Sequence, residues 1–166
     1  MAMSDIASIE WLPQPASTES TLLRNILLSG ESLTALLQKK LGGNIKIKLL
    51  KQELCDNTWH RDVIISAEKN SHPCLIAARS LFSKTLEAAT ELNNLKENSL
   101  ATIIYDRFNC QRQIAAYCNC NKEQFHHFWG DTITTEKECF TGRKSIFTIK
   151  DQSLTLYEFF IEHPWL

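Results

Sequence analysis

The fold is decided by residues 59–82, which read WHRDVIISAEKNSHPCLIAARSLF. Apolar residues alternate with polar ones on both sides of Lys69-Asn70-Ser71, a pattern typical of two antiparallel strands joined by a tight turn. If the turn centres on Asn70, Arg61 lies opposite Arg79, and both side chains point to the same face of the hairpin. The predicted strands are Trp59–Glu68 and Pro73–Phe82.

Two arginines at the end of an otherwise apolar face give this hairpin a possible function. Like charges directly opposite each other destabilise a sheet unless something anionic lies between them. Arginine suits a carboxylate, which it binds through two parallel hydrogen bonds. The pair therefore predicts an anion-binding site. The alternative is that each arginine is an edge residue whose head group reaches solvent.

A carboxylate on the last predicted strand extends this site. Leu154, Leu156, Glu158 and Phe160 share one face of that strand, and Glu158 is the polar exception. A buried carboxylate must find a partner or become protonated, and both outcomes suit a catalytic or ligand-binding group. The alternative is a structural ion pair between Arg61 and Glu158.

The rest of the chain contains further strands and helices in no regular alternation. The predicted helices run from near Glu19 to Gly30, with Ser17 or Thr18 as the cap, from Glu31 to Gly42, and onward from Ser83. The other predicted strands are Ile45–Leu50, Gln111–Cys118, Ser145–Ile149 and Leu154–Ile161. The segments 100–105 and 121–137 are ambiguous. We therefore expect one α+β domain over residues 1–166, a mainly antiparallel six-stranded sheet with helices on one side.

Composition excludes several classes of protein. The 166-residue chain is 43% hydrophobic and 22% charged, with a formal net charge of -1, so it reads as a globular domain without the basic excess of a nucleic-acid binder. The first twenty residues carry acids and prolines where a secretory signal has a basic start and an apolar run. No apolar run approaches transmembrane length. We expect a cytoplasmic protein.

The six cysteines match no usual disulfide framework and are expected to be free thiols. A zinc site is the competing hypothesis, because Cys118, Cys120, His126, His127 and Cys139 supply suitable ligand types. However, Cys-x-Cys lacks a matching second pair. Since Cys118 and Cys120 share a strand face, packing explains them, and we expect no metal.

Six short motifs occur in order along nearly the whole chain. They are Glu31-Ser-Leu-Thr34, Trp59-His-Arg61, Ala78-Arg79-Ser80, Asn98-Ser-Leu100, Gly142-Arg-Lys-Ser145 and Leu156-Tyr-Glu158-Phe. No single motif is specific, but together and in this order they resemble the bacterial chorismate pyruvate-lyase family. These enzymes eliminate pyruvate from chorismate to give 4-hydroxybenzoate, the first committed step of ubiquinone biosynthesis.

The resemblance implies a role for each candidate residue. Arg61 would bind the ring carboxylate, helped by the backbone amides of Leu33 and Leu100. Glu158 would meet the ring hydroxyl, either as a proton relay or as an anchor. Arg79 would hold the second carboxylate, on the enolpyruvyl side chain, and stabilise the charge that develops there. Arg61, Arg79 and Glu158 are thus the predicted catalytic residues.

The resemblance also implies an architecture and partners. The family has a compact antiparallel sheet whose helical flaps bury the ligand, and it needs no metal or organic cofactor. The expected partners are chorismate and 4-hydroxybenzoate, without nucleic acid or stable membrane insertion, and the expected state is a monomer. The alternative is a non-catalytic domain of the same fold that binds an aromatic carboxylate.

This chain departs from the family pattern in three places. Leu33 stands where methionine is common, which a backbone contact tolerates. Ala78 and Ser80 replace glycine and threonine, which alters the shape of the pocket slightly. The segment 121–138 is longer than its counterpart and contains His126-His127-Phe128-Trp129, for which the family offers no role.

Overall fold

A six-stranded antiparallel sheet organises the chain. The computed structural model describes residues 9–17, 19–42, 45–67 and 76–161. Within them the strand order is β1-β2-β3-β6-β5-β4, and every neighbouring pair is antiparallel. The strands are β1 Ile45–Cys55, β2 Thr58–Ala67, β3 Ile76–Ser83, β4 Gln113–Asn121, β5 Cys139–Ile149 and β6 Gln152–Phe160. The predicted α+β class is confirmed.

Local sequence signals set the ends of the helices. Ser20 rather than the predicted Ser17 caps the first helix, because its hydroxyl accepts from the Leu23 amide at 3.2 Å, and Thr18 lies outside the described residues. Gly42 ends the second helix in the left-handed conformation, with φ +62°. The helices are α1 Thr21–Leu28, α2 Leu33–Leu41, α3 Ala89–Asn93 and α4 Lys122–Trp129, with a π-helical segment Thr102–Arg107 and a 3-10 turn Gly130–Thr132. No helix among the described residues is long and apolar enough to cross a membrane.

The two faces of the sheet bury separate hydrophobic cores. One core lies under α1, α2, α3 and the π-helical segment, and we call this side the helical face. The other core packs against α4 and the arm formed by residues 9–17, and we call this side the arm face. Trp11 of the arm contacts the rings of Tyr157 and Phe159. The sheet is therefore covered on both sides, and α4 adds a helix opposite the predicted ones.

The segments that sequence periodicity left ambiguous form helices. Residues 122–129 are α4, which begins with a capping box in which Asn121 and Gln124 bond each other's backbone amides. The apolar run 100–105 overlaps the π-helical segment Thr102–Arg107. Strand β5 starts at Cys139, six residues before the predicted start at Ser145.

The pairing of β2 with β3 differs from the prediction by one residue. Arg61 lies opposite Ser80, and Arg79 lies opposite Asp62. The predicted turn at Asn70 lies outside the described residues. Because neighbouring residues of a strand point to opposite faces, this shift puts Arg61 on the helical face and Arg79 on the arm face. The prediction that the two arginines face each other is wrong. The observed register replaces two apposed positive charges with an ion pair.

Candidate functional site

A cavity lies between the helical face and its covering helices. Its empty volume is ≈ 540 Å³, which includes the part that opens to solvent. Predicted site residues Arg61, Glu158, Leu33 and Leu100 all line it. Its apolar wall includes Val63, Ile65, Ala78, Ile104, Phe147 and Leu156. The fold thus brings together four of the five residues that were predicted for the site.

Arg61 is a buried cation that has no anionic partner in the described part of the chain. The residue is 2% exposed, and its Nη2 donates to the carbonyls of Lys96 and Asn98 at 2.9 and 3.1 Å. Its Nε has no hydrogen-bond partner. Burial without a compensating carboxylate lowers the pKa of Arg61 to about 10. A guanidinium held this way is ready to receive a carboxylate from the cavity.

Glu158 sits at the other side of the cavity, between two guanidiniums. Its Oε2 accepts from Arg112 Nη1 and from Arg143 Nε, each at 2.8 Å. Burial alone raises the pKa of this carboxyl, but the two arginines outweigh burial and hold the pKa below its usual 4.5. Glu158 is therefore an ionised acceptor. None of the hydrogen bonds of the described residues involves its Oε1, which leaves an acceptor for a ligand hydroxyl.

Sheet geometry fixes the separation of these two groups. Arg61 pairs with Ser80, which pairs with Leu156, two residues before Glu158 on the same face. Two strand spacings and two residues along the strand separate the Cα atoms by roughly 12 Å. The two long side chains enclose the cavity between them, so a ligand there meets a cation at one end and a carboxylate at the other.

Arg143 is the fixed support of Glu158. It lies opposite Glu158 in the β5–β6 pair and is fully buried. Its Nη1 donates to three carbonyls at the end of α1, which carry the partial negative charge of the helix dipole. These carbonyls belong to Ile26, Leu27 and Ser29, at 2.9–3.2 Å. Arg143 therefore locks the carboxylate to the covering helix and does not itself line the cavity.

Arg112 is a cavity residue that the sequence did not single out. It lies just before β4 and lines the cavity beside Glu158. Its Nε donates to the Tyr105 hydroxyl at 3.2 Å and its Nη1 to the Ser145 hydroxyl at 2.8 Å. In the sequence, Arg112 is an arginine near the start of the predicted strand 111–118, a position where charged residues are commonly exposed. Only the tertiary fold shows that its side chain lies in the cavity.

Leu33 and Leu100, whose backbone amides are predicted to bind the ligand, both line the cavity. Leu33 is the first residue of α2, where an amide has no acceptor within its own helix and the helix dipole is positive. The Thr34 hydroxyl bonds that of Ser99 at 3.1 Å, which joins the start of α2 to the segment carrying Leu100. The two residues predicted to give backbone contacts are therefore part of the cavity wall.

The buried charges around the cavity do not balance. Among the described residues, Arg61, Arg112 and Arg143 are opposed there by Glu158 alone, which leaves two positive charges uncompensated. Buried charges are costly unless they are paired. The arrangement is suited to a ligand with two negative charges.

Arg79 belongs to a separate cluster on the arm face. Its Nε and Nη2 donate to the two carboxylate oxygens of Asp62 at 2.8 and 2.9 Å. Its guanidinium lies 4.5 Å from the centre of the Phe128 ring and 5.0 Å from that of Trp129. The prediction that Arg79 shares the pocket of Arg61 and Glu158 is therefore wrong, and the reason is the shifted register of β2 and β3. Its observed partners hold α4 against the sheet.

The cysteine and histidine residues form no cluster of metal ligands in the described part of the chain. Cys118 and Cys120 are buried on the arm face, as strand parity predicts, and Cys139 is exposed. No group of three histidine, cysteine, aspartate or glutamate side chains there could hold a metal ion. The five described cysteines have free thiols, and Cys74 lies outside the described residues.

Comparison with known proteins shows a distant likeness to a solved structure. No protein-family model and no curated protein matches this chain. Among solved structures, the chain is similar to the possible transcriptional regulator YydK from Bacillus subtilis subsp. subtilis str. 168, with a TM-score of 0.48 and 12% sequence identity. The match covers 71% of this chain and 58% of that one. This chain therefore spans less than two thirds of the length of the regulator's chain. The function therefore has to follow from the chemistry of the pocket.

Proposed function

We propose that the chain is a chorismate lyase, which converts chorismate into 4-hydroxybenzoate and pyruvate. The observation that carries the proposal is Arg61, a guanidinium that is 2% exposed, has no carboxylate partner among the described residues and lines the cavity opposite the unbonded oxygen of Glu158. Chorismate offers a ring carboxylate for the first group and a ring hydroxyl for the second. Its second carboxylate balances the remaining positive charge.

The reaction needs orientation and charge stabilisation more than a proton donor. The bond between ring carbon 3 and the ether oxygen breaks, its electron pair stays on the oxygen, and the proton on carbon 4 leaves as the ring becomes aromatic. A proton added at the methylene carbon of the departing enolpyruvate gives pyruvate. Atoms and electrons balance without an oxidant or water. Aromatisation supplies the driving force, and the pocket holds the reacting conformation.

The environment of Glu158 supports one of its two predicted roles. A carboxylate whose pKa is held below its usual value by two arginines is a poor proton donor and a weak base near neutral pH. It is a strong hydrogen-bond acceptor. We assign Glu158 to anchoring the ring hydroxyl, which fixes carbon 4 relative to the ether bond.

Turnover of chorismate tests the proposal. Purified protein should release 4-hydroxybenzoate and pyruvate in equal amounts, detected by chromatography and by a coupled pyruvate assay. Arg61→Met and Glu158→Gln should lose most of the rate, since each removes one end of the ligand site. Arg107→Gln is the matched control, because Arg107 is exposed and pairs with Glu91 outside the cavity. Absence of chorismate turnover in repeated wild-type preparations would rule out the proposed lyase activity.

A non-catalytic aromatic-carboxylate binder is the second candidate, and one observation favours it. Arg79, to which the resemblance assigns charge stabilisation in the reaction, lies on the arm face and is bound to Asp62. A binder would show a raised melting temperature with 4-hydroxybenzoate but no consumption of chorismate. Measuring both quantities on one preparation separates the two candidates.

A further inference from the structure

We propose that Arg112 binds a second carboxylate on the ligand, so that the pocket selects dianions over monoanions. The proposal rests on the proposed function for the orientation of the ring, with the first carboxylate on Arg61 and the hydroxyl on Glu158. It assigns to Arg112 the contact that the resemblance to the lyase family assigns to Arg79.

The side chain of Arg112 is fixed with one donor group unused. Tyr105, Ser145 and Glu158 hold its Nε and Nη1. The side chain is 2% exposed, and none of the hydrogen bonds of the described residues involves its Nη2. Because Arg112 lines the cavity, this group is available to a ligand. A pre-positioned guanidinium binds an anion without first ordering itself.

The other buried arginines cannot take this role. Arg143 does not line the cavity, and it is committed to Glu158 and to the end of α1. Arg79 faces the opposite core. Arg61 is at the far end of the cavity, two strands away from Glu158. Among the cations of the described residues, Arg112 alone lines the cavity next to Glu158.

The chemistry of the ligand puts a second carboxylate near that position. In chorismate, the hydroxyl on carbon 4 and the enolpyruvyl ether on carbon 3 are on adjacent ring atoms. A hydroxyl bound to Glu158 therefore brings the ether side chain beside the residue that also contacts Glu158, which is Arg112. The charge balance agrees, since one carboxylate on Arg61 leaves one positive charge beside Glu158.

Two stable aromatic ligands test the assignment without catalysis. The first is 3-(carboxymethoxy)-4-hydroxybenzoate, which carries both carboxylates. The second is 3-methoxy-4-hydroxybenzoate, which keeps the ether and loses the side-chain charge. By titration calorimetry, the wild-type protein should bind the dicarboxylate roughly ten- to hundred-fold more tightly, as expected for one charge-assisted hydrogen-bonding contact.

Variants of Arg112 then locate the preference. In Arg112→Gln, the amide can still donate to Glu158, so affinity for the methoxy ligand should stay within a few-fold while the preference for the dicarboxylate disappears. Arg112→Lys keeps the charge without the planar fork and should retain part of the preference. Binding of the methoxy ligand reports whether each variant is folded, and Arg107→Gln should behave as the wild type.

Three results would overturn the assignment. They are equal wild-type affinity for the two ligands, full preference retained in Arg112→Gln, and, in Arg112→Lys that still binds the methoxy ligand, a preference no greater than that of Arg112→Gln. Chorismate turnover, measured in parallel, shows whether the role of Arg112 or the proposed lyase function has been overturned. Turnover without a preference overturns only the role of Arg112, and a preference without turnover overturns only catalysis.

Discussion

Two arginines on adjacent strands have opposite surroundings. Arg79, on the arm face, is held by both carboxylate oxygens of Asp62 and by two aromatic rings. Arg61, on the helical face, is more deeply buried, and within the described residues its guanidinium donates to two backbone carbonyls and to no carboxylate. A paired buried charge is adequately explained by structure, whereas an unpaired one costs stability that a bound anion can restore. The contrast separates an architectural arginine from a binding arginine within one hairpin.

Removing the carboxylate of the helical face should have the largest effect on stability. Glu158→Gln leaves Arg112 and Arg143 buried without their anion, and we expect a loss of about 4 kcal/mol at pH 7 in urea unfolding. The folded-state pKa of Glu158 lies below its usual 4.5, so its contribution is complete above that range and is lost as the pH falls through the folded-state pKa. The difference between wild type and variant should therefore shrink on acidification. A difference that grows at low pH would contradict the ion-pair assignment.

Breaking the ion pair of the arm face should come next. Arg79→Met leaves Asp62 as a buried, unpaired carboxylate, and we expect a loss of roughly 3 kcal/mol in the same unfolding experiment. Ligand affinity should not change, because Arg79 does not reach the cavity. The double variant Asp62→Leu/Arg79→Met should recover much of the loss. A ten-fold drop in affinity for 4-hydroxybenzoate in folded Arg79→Met would contradict this and show that Arg79 takes part in ligand binding.

The smallest effect on stability is expected at Arg61. Methionine removes an unpaired charge but also the donor to two carbonyls, so the unligated Arg61→Met protein should unfold within about 1 kcal/mol of the wild type. The rise in melting temperature caused by 4-hydroxybenzoate should nevertheless be lost. A strongly destabilised Arg61→Met would show that this arginine is structural, as Arg79 is.

Much of the fold could be predicted because residue spacing reports secondary structure directly. Alternation identified β2, β3 and β6, and Gly42 marked the end of α2, whereas α1 is capped by Ser20 and not at the predicted position. The segment 121–137 could not be assigned, because its aromatic residues fit either period until they pack on the arm face. The predicted register of β2 and β3 was wrong for a related reason. It was inferred from the position of the turn, whereas packing and the Asp62–Arg79 ion pair select between two neighbouring registers.

The site was predictable where one residue interrupts an apolar pattern. Arg61 and Glu158 satisfy that condition, and both line the cavity. Arg112 precedes its strand and contacts Glu158 across 46 positions of sequence, so no local pattern reveals it. Long-range partners decide whether a charged side chain is paired, and these partners emerge only from the tertiary fold.

The position of β6 has a consequence for how this protein folds during synthesis. β6 is the final described strand along the chain, yet it lies between β3 and β5 and pairs with both. Until it emerges from the ribosome, the hairpin of β2 and β3 and the pair of β4 and β5 have no strand to join them. Both carry apolar faces that await burial, which exposes the nascent chain to aggregation and chaperone binding. Since β6 also carries Glu158, completion of the sheet and completion of the pocket are one event.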